Sequence, residues 1–205
     1  ESIHLPRKSS SRRKDLLRQV NAYAVEGQHR RKANPLYSIN VKPITHDDYL
    51  QAIASDPYFA GRWQYYERAI QMAQVHAPKS VLEVGPYKLP LYHDSAILDA
   101  HHHIAEAIIH DARESPWPFA DQLFDLGMAL QVFEHFTGQQ RLVFAEMFRV
   151  CKSVLVSIPY KWKQSPSDGH AGLTLETLAD WTGREFNEVQ IVGPIGRQRA
   201  LAFYL

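Results

Sequence analysis

Short apolar runs separated by polar turns dominate the middle of this chain. Four of them lie between Ser80 and His135: SVLEVGPYKLPL, SAILDAH, AIIHDARESPWPF and LFDLGMALQVFEH. Runs of this length are typical of strands that are buried on both faces of a parallel sheet. The pattern predicts four such strands, the first beginning at Ser80 and the fourth running from Leu123 to Glu134 and His135.

Acidic residues and a glycine mark the ends of the first three predicted strands. Glu83 and Gly85 lie at the end of the first, Asp99 ends the second, and Asp111 opens the loop after the third. Ligands of open parallel sheets bind beyond the carboxyl ends of the strands, where a carboxylate can bind the hydroxyls of a ribose. The positions therefore indicate an adenosine-type ligand.

A dinucleotide is a poorer fit to the same residues. Asp99 follows Gly85 by 14 residues, whereas the acidic residue of a dinucleotide fingerprint follows by about 20. The G-x-G-x-x-G spacing is also missing. The sequence thus disfavours NAD.

Helical and strand patterns alternate around this region. Amphipathic patterns predict helices at 47–60, 61–76, 139–150 and 174–182, and apolar runs predict strands at 153–158, 187–192 and 199–204. Thr174 is the predicted cap of the last helix, with Thr177 at its third position but without a full capping box. This alternation predicts an α/β sheet.

Four segments carry a resemblance to a known family: VLEVGPYKLPL, ILDAH, IIHDARESPWPFADQLFDLGMALQVFEHF and SVLVSIPYKW. In this order they resemble class I S-adenosylmethionine-dependent methyltransferases, in particular compact methyltransferase-domain proteins, over residues 62–205. The resemblance implies a Rossmann-like, seven-stranded, mostly parallel sheet with helices on both faces and an antiparallel C-terminal edge pair. It also implies S-adenosylmethionine as cofactor and in-line methyl transfer.

The resemblance also assigns roles to cofactor-binding residues. Glu83 and Gly85 would shape the loop beside the methionine part, Asp99 would bind the ribose, and Asp111 with Ala112 would meet the adenine. The complete predicted set is Glu83, Gly85, Tyr87, Asp99, Ala100, Asp111, Ala112 and Gln131.

Three neutral residues complete this assignment. By the same resemblance, Trp117 and Phe119 would wall the adenine pocket. Gln131 would lie near the sulfonium and the incoming acceptor.

The first loop departs from the family pattern. The family usually has a second glycine after the first, whereas Pro86, Tyr87 and Lys88 follow Gly85 here. Pro86 has no N–H to donate. Two consequences remain open: Tyr87 and Lys88 crowd the methionine tail, or Lys88 pairs with its carboxylate.

Catalytic and acceptor-binding residues are expected after the fourth and fifth strands. His135, beside Glu134, is the predicted catalytic base, with a structural role in the cofactor loop as the alternative. Loops after strands set specificity in such folds, and the predicted acceptor-binding residues are Tyr160, Lys161, Trp162 and His170. Their aromatic and basic character suits a polar small molecule or a saccharide.

The sequence of a histidine-rich segment does not indicate a metal site. His101, His102 and His103 are consecutive, and His93 and His110 are close in sequence. Adjacent side chains on extended backbone point in alternating directions, and no cysteine or HxxxH spacing supports a tetrahedral site. The prediction is a polar loop beside the ribose, with no metal.

Composition supports one folded domain and a basic arm. The chain has 205 residues, 45% of them hydrophobic, which is enough for a substantial core. We predict a flexible arm at 1–46 and a methyltransferase-like domain at 47–205. The lone Cys151 excludes an intramolecular disulfide framework. No long apolar run or signal-peptide pattern is present, so the predicted location is cytoplasmic without a transmembrane segment.

The charge of the chain is concentrated at its start. Residues 1–32 hold nine Lys and Arg against three acids, and the remainder holds 14 against 19. Such an arm is typical of a solvated leader, or of a segment that binds the phosphates of nucleic acid or a membrane surface. Three functions remain: a methyltransferase acting on an O or N atom of a small polar molecule or saccharide, a nucleic-acid methyltransferase using the arm, and an inactive binding or scaffold protein.

Overall fold

The computed structural model describes residues 41–163 and 170–205. In chain order its elements are β1 (Lys42–Pro43), α1 (His46–Ser55), α2 (Trp63–Gln74), β2 (Val81–Val84), β3 (Tyr92–His93), β4 (Ala96–Asp99), β5 (Ile108–Ile109), β6 (Phe124–Leu130), α3 (Gln140–Val150), β7 (Cys151–Pro159), α4 (Leu175–Thr182), β8 (Glu188–Val192) and β9 (Arg199–Tyr204). Single 3-10 turns occupy Pro57–Phe59 and Phe133–His135.

Seven of these strands form one sheet in the order β5-β4-β2-β6-β7-β9-β8. The first five strands in this order are parallel, and β9 runs antiparallel to both β7 and β8. The predicted fold class, including the antiparallel edge pair at the C-terminus, is therefore confirmed. The chain leaves β2 toward β4 on one side and returns to β6 on the other, which creates a crevice at the carboxyl ends of these strands.

The central strands are apolar because both faces of the sheet are covered. Every residue of β2 and β4 is buried, as expected for parallel strands between two layers. Helix α3 packs on one face through Val143, Phe144 and Met147. Helix α2 packs on the other face, where Ala69 and Ile70 belong to a second hydrophobic cluster, separate from the first cluster around α3.

The folded unit extends further toward the N-terminus than the sequence predicted. Val41 and Ile44 are buried in the second cluster, and Lys42–Pro43 pairs antiparallel with β3. Burial and strand pairing place 41–46 in the folded unit rather than in the arm. Residues 1–40, which hold the basic segment, lie outside the described residues. Within the described ranges, no helix has both the length and the apolar character needed to cross a membrane.

Two predicted elements end earlier than expected. The first predicted helix ends at Ser55, and Pro57 then begins a 3-10 turn with Asp56 as its cap, because proline has no N–H to continue the helix. The fourth predicted strand ends at Leu130, so Glu134 and His135 lie in the turn that follows it.

A detail of helix capping also differs. Thr174 and Thr177 do form a full capping box at α4, each side chain accepting from the other residue's backbone N–H. In the usual motif, a glutamate at the third helical position accepts the backbone N–H of the cap residue. Here the hydroxyl of Thr177 takes this role.

Candidate functional site

A cleft of about 520 Å³ opens at the carboxyl ends of β2, β4 and β6. This volume is in the range of small-molecule and cofactor sites. Its walls are formed by Tyr58, Val84, Gly85, Tyr87, Leu98, Asp99, Ala100, His101, His103, His110, Asp111, Ala112, Arg113, Gln131, Val132, His135 and Phe136. The cleft therefore lies where open parallel sheets bind their ligands.

The loop after β2 has left-handed backbone at two positions. Gly85 has φ +62° and Tyr87 has φ +59°. At Gly85 a Cβ atom would also lie 3.2 Å from a methyl carbon of Val132, so both conformation and space require glycine. Tyr87 adopts the same backbone region despite its Cβ, which costs about 1–2 kcal/mol.

Contacts of its side chain hold Tyr87 in this conformation. Its ring lies 5.1 Å from that of Tyr58 and 4.6 Å from that of His103, measured between centroids. Its hydroxyl donates to Asp56 Oδ2 at 3.3 Å. Lys88 Nζ lies 2.9 Å from the same oxygen. The ammonium of Lys88 is thus engaged by Asp56, and Lys88 does not line the cleft among the described residues.

Glu83 lies beneath this loop and away from the cleft wall. One of its carboxylate oxygens accepts the N–H of Leu91 at 2.7 Å. The other accepts the N–H of Tyr92 at 2.9 Å and the hydroxyl of Ser95 at 2.8 Å. Burial nevertheless raises the pKa of Glu83 to about 7. The carboxylate fastens the segment 91–95 to the end of β2.

The two aspartates predicted to bind adenosine both line the cleft. Asp99, at the end of β4, accepts the N–H of His101 through Oδ1 at 2.9 Å. Asp111 is paired with Arg113, whose Nη2 lies 2.6 Å from Asp111 Oδ2. Hydrogen bonding from Arg113 lowers the pKa of Asp111 to about 2. Ala100 and Ala112 lie beside them on the wall.

Trp117 and Phe119 are buried in the core and are absent from the described cleft wall. The indole of Trp117 donates to the carbonyl of Ala112 at 2.9 Å, and its backbone N–H donates to Glu146 at 2.6 Å. Trp117 supports the loop from behind instead of forming the wall itself.

Several cleft residues were not predicted from the sequence. They are Tyr58, His101, His103, His110 and Arg113. The sequence places the histidines in a polar loop beside the ribose without a role of their own, although the position of His101 and His103 just after Asp99 is a usable signal. Arg113 could have been proposed from its proximity in sequence to Asp111.

The loop after β6 brings Gln131 and His135 to the cleft. Gln131 has φ +58°, and its backbone N–H and side-chain amide both approach Ser157 Oγ, at 3.0 and 3.2 Å. These contacts fix the loop against the end of β7. His135 is solvent accessible at the cleft. The pKa of His135 is lowered, mainly because partial burial of the ring disfavours its charged form and also because His170 is nearby.

Glu134, His135 and His170 form a cluster beside this loop, with one donor atom from each within 4.8 Å of the others. Glu134 Oε1 lies 3.8 Å from His170 Nε2, and the two imidazole centroids are 5.1 Å apart. The Glu134 side chain is only 1% exposed. Neither of its oxygens has a hydrogen-bond partner in the described structure. Burial raises the pKa of Glu134 to about 8.

Only some of the predicted acceptor-binding residues lie near His135. His170 lies beside His135, and the ring of Trp162 stacks near His170 with centroids 6.2 Å apart. The indole of Trp162 also donates to the carbonyl of Gln198. The described cleft wall includes neither Tyr160, Lys161, Trp162 nor His170. His170 and Trp162 thus lie next to His135, whereas Tyr160 packs against the hydrophobic cluster that includes α3 and the ammonium of Lys161 lies over its ring.

Comparisons with known proteins agree with this fold. Residues 69–154 match the family described as "Methyltransferase domain". No match was found among curated proteins.

Solved structures give further similarity. The methyltransferase domain of bacterial CtHen1 has 16% identity and a TM-score of 0.53, covering 70% of this chain and 99% of that one. A second structure of that domain has 14% identity and a TM-score of 0.52, covering 69% and 97%. The N-methyltransferase NodS from Bradyrhizobium japonicum WM9, in complex with S-adenosylhomocysteine, has 16% identity and a TM-score of 0.49, covering 67% and 85%. The resemblance is confirmed, and the chain has the fold of the class I S-adenosylmethionine-dependent methyltransferases.

Proposed function

We propose that this protein is an S-adenosylmethionine-dependent methyltransferase that acts on an O or N atom of a small polar molecule or a saccharide. One observation carries the proposal. Seven of the eight residues assigned to the cofactor by resemblance share a single cleft: Gly85, Tyr87, Asp99, Ala100, Asp111, Ala112 and Gln131. The match to the methyltransferase domain family supports the same cofactor.

The contacts of the aspartates suit the proposed cofactor. The hydrogen bond of Asp99 to His101 uses Oδ1, which leaves Oδ2 to accept from a ribose hydroxyl. In the proposed orientation, Asp111 and Ala112 contact the adenine, and the loop at Gly85 follows the methionine part. Gln131 and His135 would then lie on the side of the sulfonium.

The alternative of an inactive scaffold rests on the missing second glycine. Tyr87 has the left-handed backbone that a glycine would adopt, and its side chain is tied to Asp56. The loop thus keeps a glycine-like path, and about 520 Å³ remains in the cleft. These features favour a cofactor-binding protein. The nucleic-acid alternative depends on the basic arm, which lies outside the described residues.

In the proposed reaction, bound S-adenosylmethionine supplies an activated methyl group for in-line displacement. The chain aligns the acceptor atom and excludes competing water. His135, at the cleft, accepts the proton that the acceptor loses. Tyr160, Lys161, Trp162 and His170 are proposed to select the acceptor.

Isothermal titration calorimetry with S-adenosylmethionine, S-adenosylhomocysteine and NAD tests the proposal without knowledge of the acceptor. We expect binding of the first two and none of NAD. Asp99→Asn should weaken S-adenosylhomocysteine binding about 10- to 100-fold, because a charge-assisted hydrogen bond contributes about 1.5–3 kcal/mol.

Asp180→Asn is the matched control for this substitution, because Asp180 is an exposed aspartate of α4 that does not line the described cleft. Its affinity for S-adenosylhomocysteine should equal that of the native chain. Folded native protein that binds neither methionine derivative would overturn the proposed function. Unchanged affinity in Asp99→Asn would overturn the proposed orientation.

A further inference from the structure

The cluster of Glu134, His135 and His170 is built from two distant parts of the chain. Glu134 and His135 lie in the 3-10 turn after β6, and His170 lies in the connection between β7 and α4. The fold nevertheless brings one carboxylate and two imidazoles together, with their donor atoms within 4.8 Å of one another.

Within this cluster, the buried carboxyl group of Glu134 has no hydrogen bond to offset the cost of its burial. A buried carboxylate without hydrogen bonds or a partner charge is strongly unfavourable, and both Glu134 oxygens lack a hydrogen-bond partner in the described structure. Arg199 acts on Glu134 through longer-range attraction. The guanidinium of Arg199 lies over the rings of Tyr65 and Trp162, at 4.4 and 5.2 Å from their centroids. The basic side chain that the described contacts place beside Glu134 is His170, whose Nε2 lies 3.8 Å from Oε1. This separation is beyond hydrogen-bond distance, so neither carboxyl oxygen has a close donor in the described structure.

We propose that Glu134, His135 and His170 bind one divalent transition-metal ion of the Zn²⁺ class. Two imidazoles and one carboxylate are a donor set that suits such ions, and three protein ligands leave a fourth position open. The ion would supply the positive charge that the buried carboxylate lacks.

The distances in the cluster require a modest contraction. Zinc bonds of about 2.0–2.1 Å in tetrahedral geometry place ligand atoms about 3.3 Å apart. The Glu134 Oε1 to His170 Nε2 distance of 3.8 Å is close to this value. The 4.8 Å limit on the other separations leaves about 1.5 Å at most to close, which side-chain rotation can provide.

Because His135 lines the cleft, an ion bound to it would lie at the edge of the cleft. A metal there would bind an acceptor oxygen and ease the loss of its proton. His135 would then serve as a ligand, and the proton lost by the metal-bound acceptor would pass to solvent water instead of to His135. This consequence rests on the proposed methyl transfer, whereas ion binding itself does not.

The test is binding of Co²⁺ and Zn²⁺ to the full chain, prepared without a histidine tag and stripped by a chelator that is then removed. The visible absorption of Co²⁺ reports its coordination, and competition by Zn²⁺ gives the relative affinity. We expect one ion per chain. Glu134→Gln and His170→Ala should each weaken Co²⁺ binding more than tenfold, since loss of even an outer partner costs about 10- to 100-fold.

Two controls locate the ion. Glu134→Gln keeps the size of the side chain and removes its unpaired charge, so it should fold, which circular dichroism would verify. The double variant His101→Ala with His103→Ala removes the other pair of neighbouring histidines, whose ring centroids are 5.5 Å apart. It should bind Co²⁺ as the native chain does.

Three results would overturn the metal site: no Co²⁺ or Zn²⁺ bound to the folded chain, native affinity in both Glu134→Gln and His170→Ala, or loss of binding only in the His101 and His103 double variant. Titration of the metal-free protein with S-adenosylhomocysteine is the separate test of the cofactor cleft. Cofactor binding without ion binding would refute the metal site alone.

Discussion

Replacement of Glu83 by glutamine should change the pH dependence of stability. The buried carboxylate accepts three hydrogen bonds, from the N–H groups of Leu91 and Tyr92 and the hydroxyl of Ser95. Glutamine has one acceptor oxygen, so its amide nitrogen would face a donor. At pH 5 we expect Glu83→Gln to cost about 1–3 kcal/mol, the usual penalty for an unsatisfied buried donor.

The native chain should lose this advantage as the pH rises. Burial raises the pKa of Glu83 from 4.5 to about 7, so between these values the folded state holds a proton that the unfolded state has released. Stability from this group is fully present below about pH 4.5 and is lost as the pH rises through 7. The shift corresponds to about 2–3 kcal/mol between pH 5 and pH 8.

Urea unfolding at pH 5, 6, 7 and 8, followed by tryptophan fluorescence, measures this change. The difference in unfolding free energy between the native chain and Glu83→Gln should fall by about 2–3 kcal/mol over this range. Other titrating groups, including Glu134, are present in both proteins and cancel in the difference. Glu67→Gln, at an exposed position of α2, should give a flat difference. A pH-independent difference for Glu83→Gln would show that its three donors keep Glu83 ionised throughout, which would refute the reasoning.

Two further substitutions test the sheet and the first loop. Gly127→Ala should destabilise the fold by about 1–3 kcal/mol, because the added Cβ would lie 2.7 Å from Cys151 Sγ. In thermal unfolding, adding Cys151→Ala should recover part of this loss, whereas strictly additive effects would exclude the predicted clash. Lys88→Met should leave the affinity for S-adenosylhomocysteine unchanged within about threefold, because Asp56 already holds the ammonium. A larger loss in calorimetry would instead support pairing of Lys88 with the methionine carboxylate.

The sheet could be predicted from the sequence because its strands are buried on both faces. Continuous apolar runs such as Val81–Val84 and Ala96–Asp99 leave a strong signal. Asp99 could be assigned to the cleft for a related reason, since the carboxyl end of a parallel strand has a known place in the fold.

Contacts between distant parts of the chain could not be predicted in the same way. Lys88 pairs with Asp56, and Glu134 lies next to His170, but neither pair has a local sequence signal. The resemblance places Trp117 on the cleft wall, but an aromatic residue in a loop fits either a wall or the core. Only the packing of the loop on α3, through Glu146, decides between them.

The path of the loop after β2 depends both on its own backbone conformation and on contacts of Tyr87 with distant residues. The substitution Tyr87→Gly tests how much those contacts contribute. Glycine would remove the left-handed strain of about 1–2 kcal/mol, but it would also remove the contacts with Tyr58 and His103 and the bond to Asp56. A looser loop and a lost wall should both weaken S-adenosylhomocysteine binding in calorimetry.

Tighter binding in Tyr87→Gly would show that the tyrosine occupies space needed by the methionine tail. Tyr87→Phe, which keeps the ring but not the hydroxyl, separates the two contributions, because it should bind as the native chain does if the ring supplies the wall. The strain at Tyr87 is offset by contacts of its side chain with His103 and with Tyr58 and Asp56, the last two of which precede α2. The segment 56–58 between α1 and α2 therefore contributes to the cleft, since Tyr58 lines it and Asp56 contacts Tyr87 in the loop that would contact the cofactor.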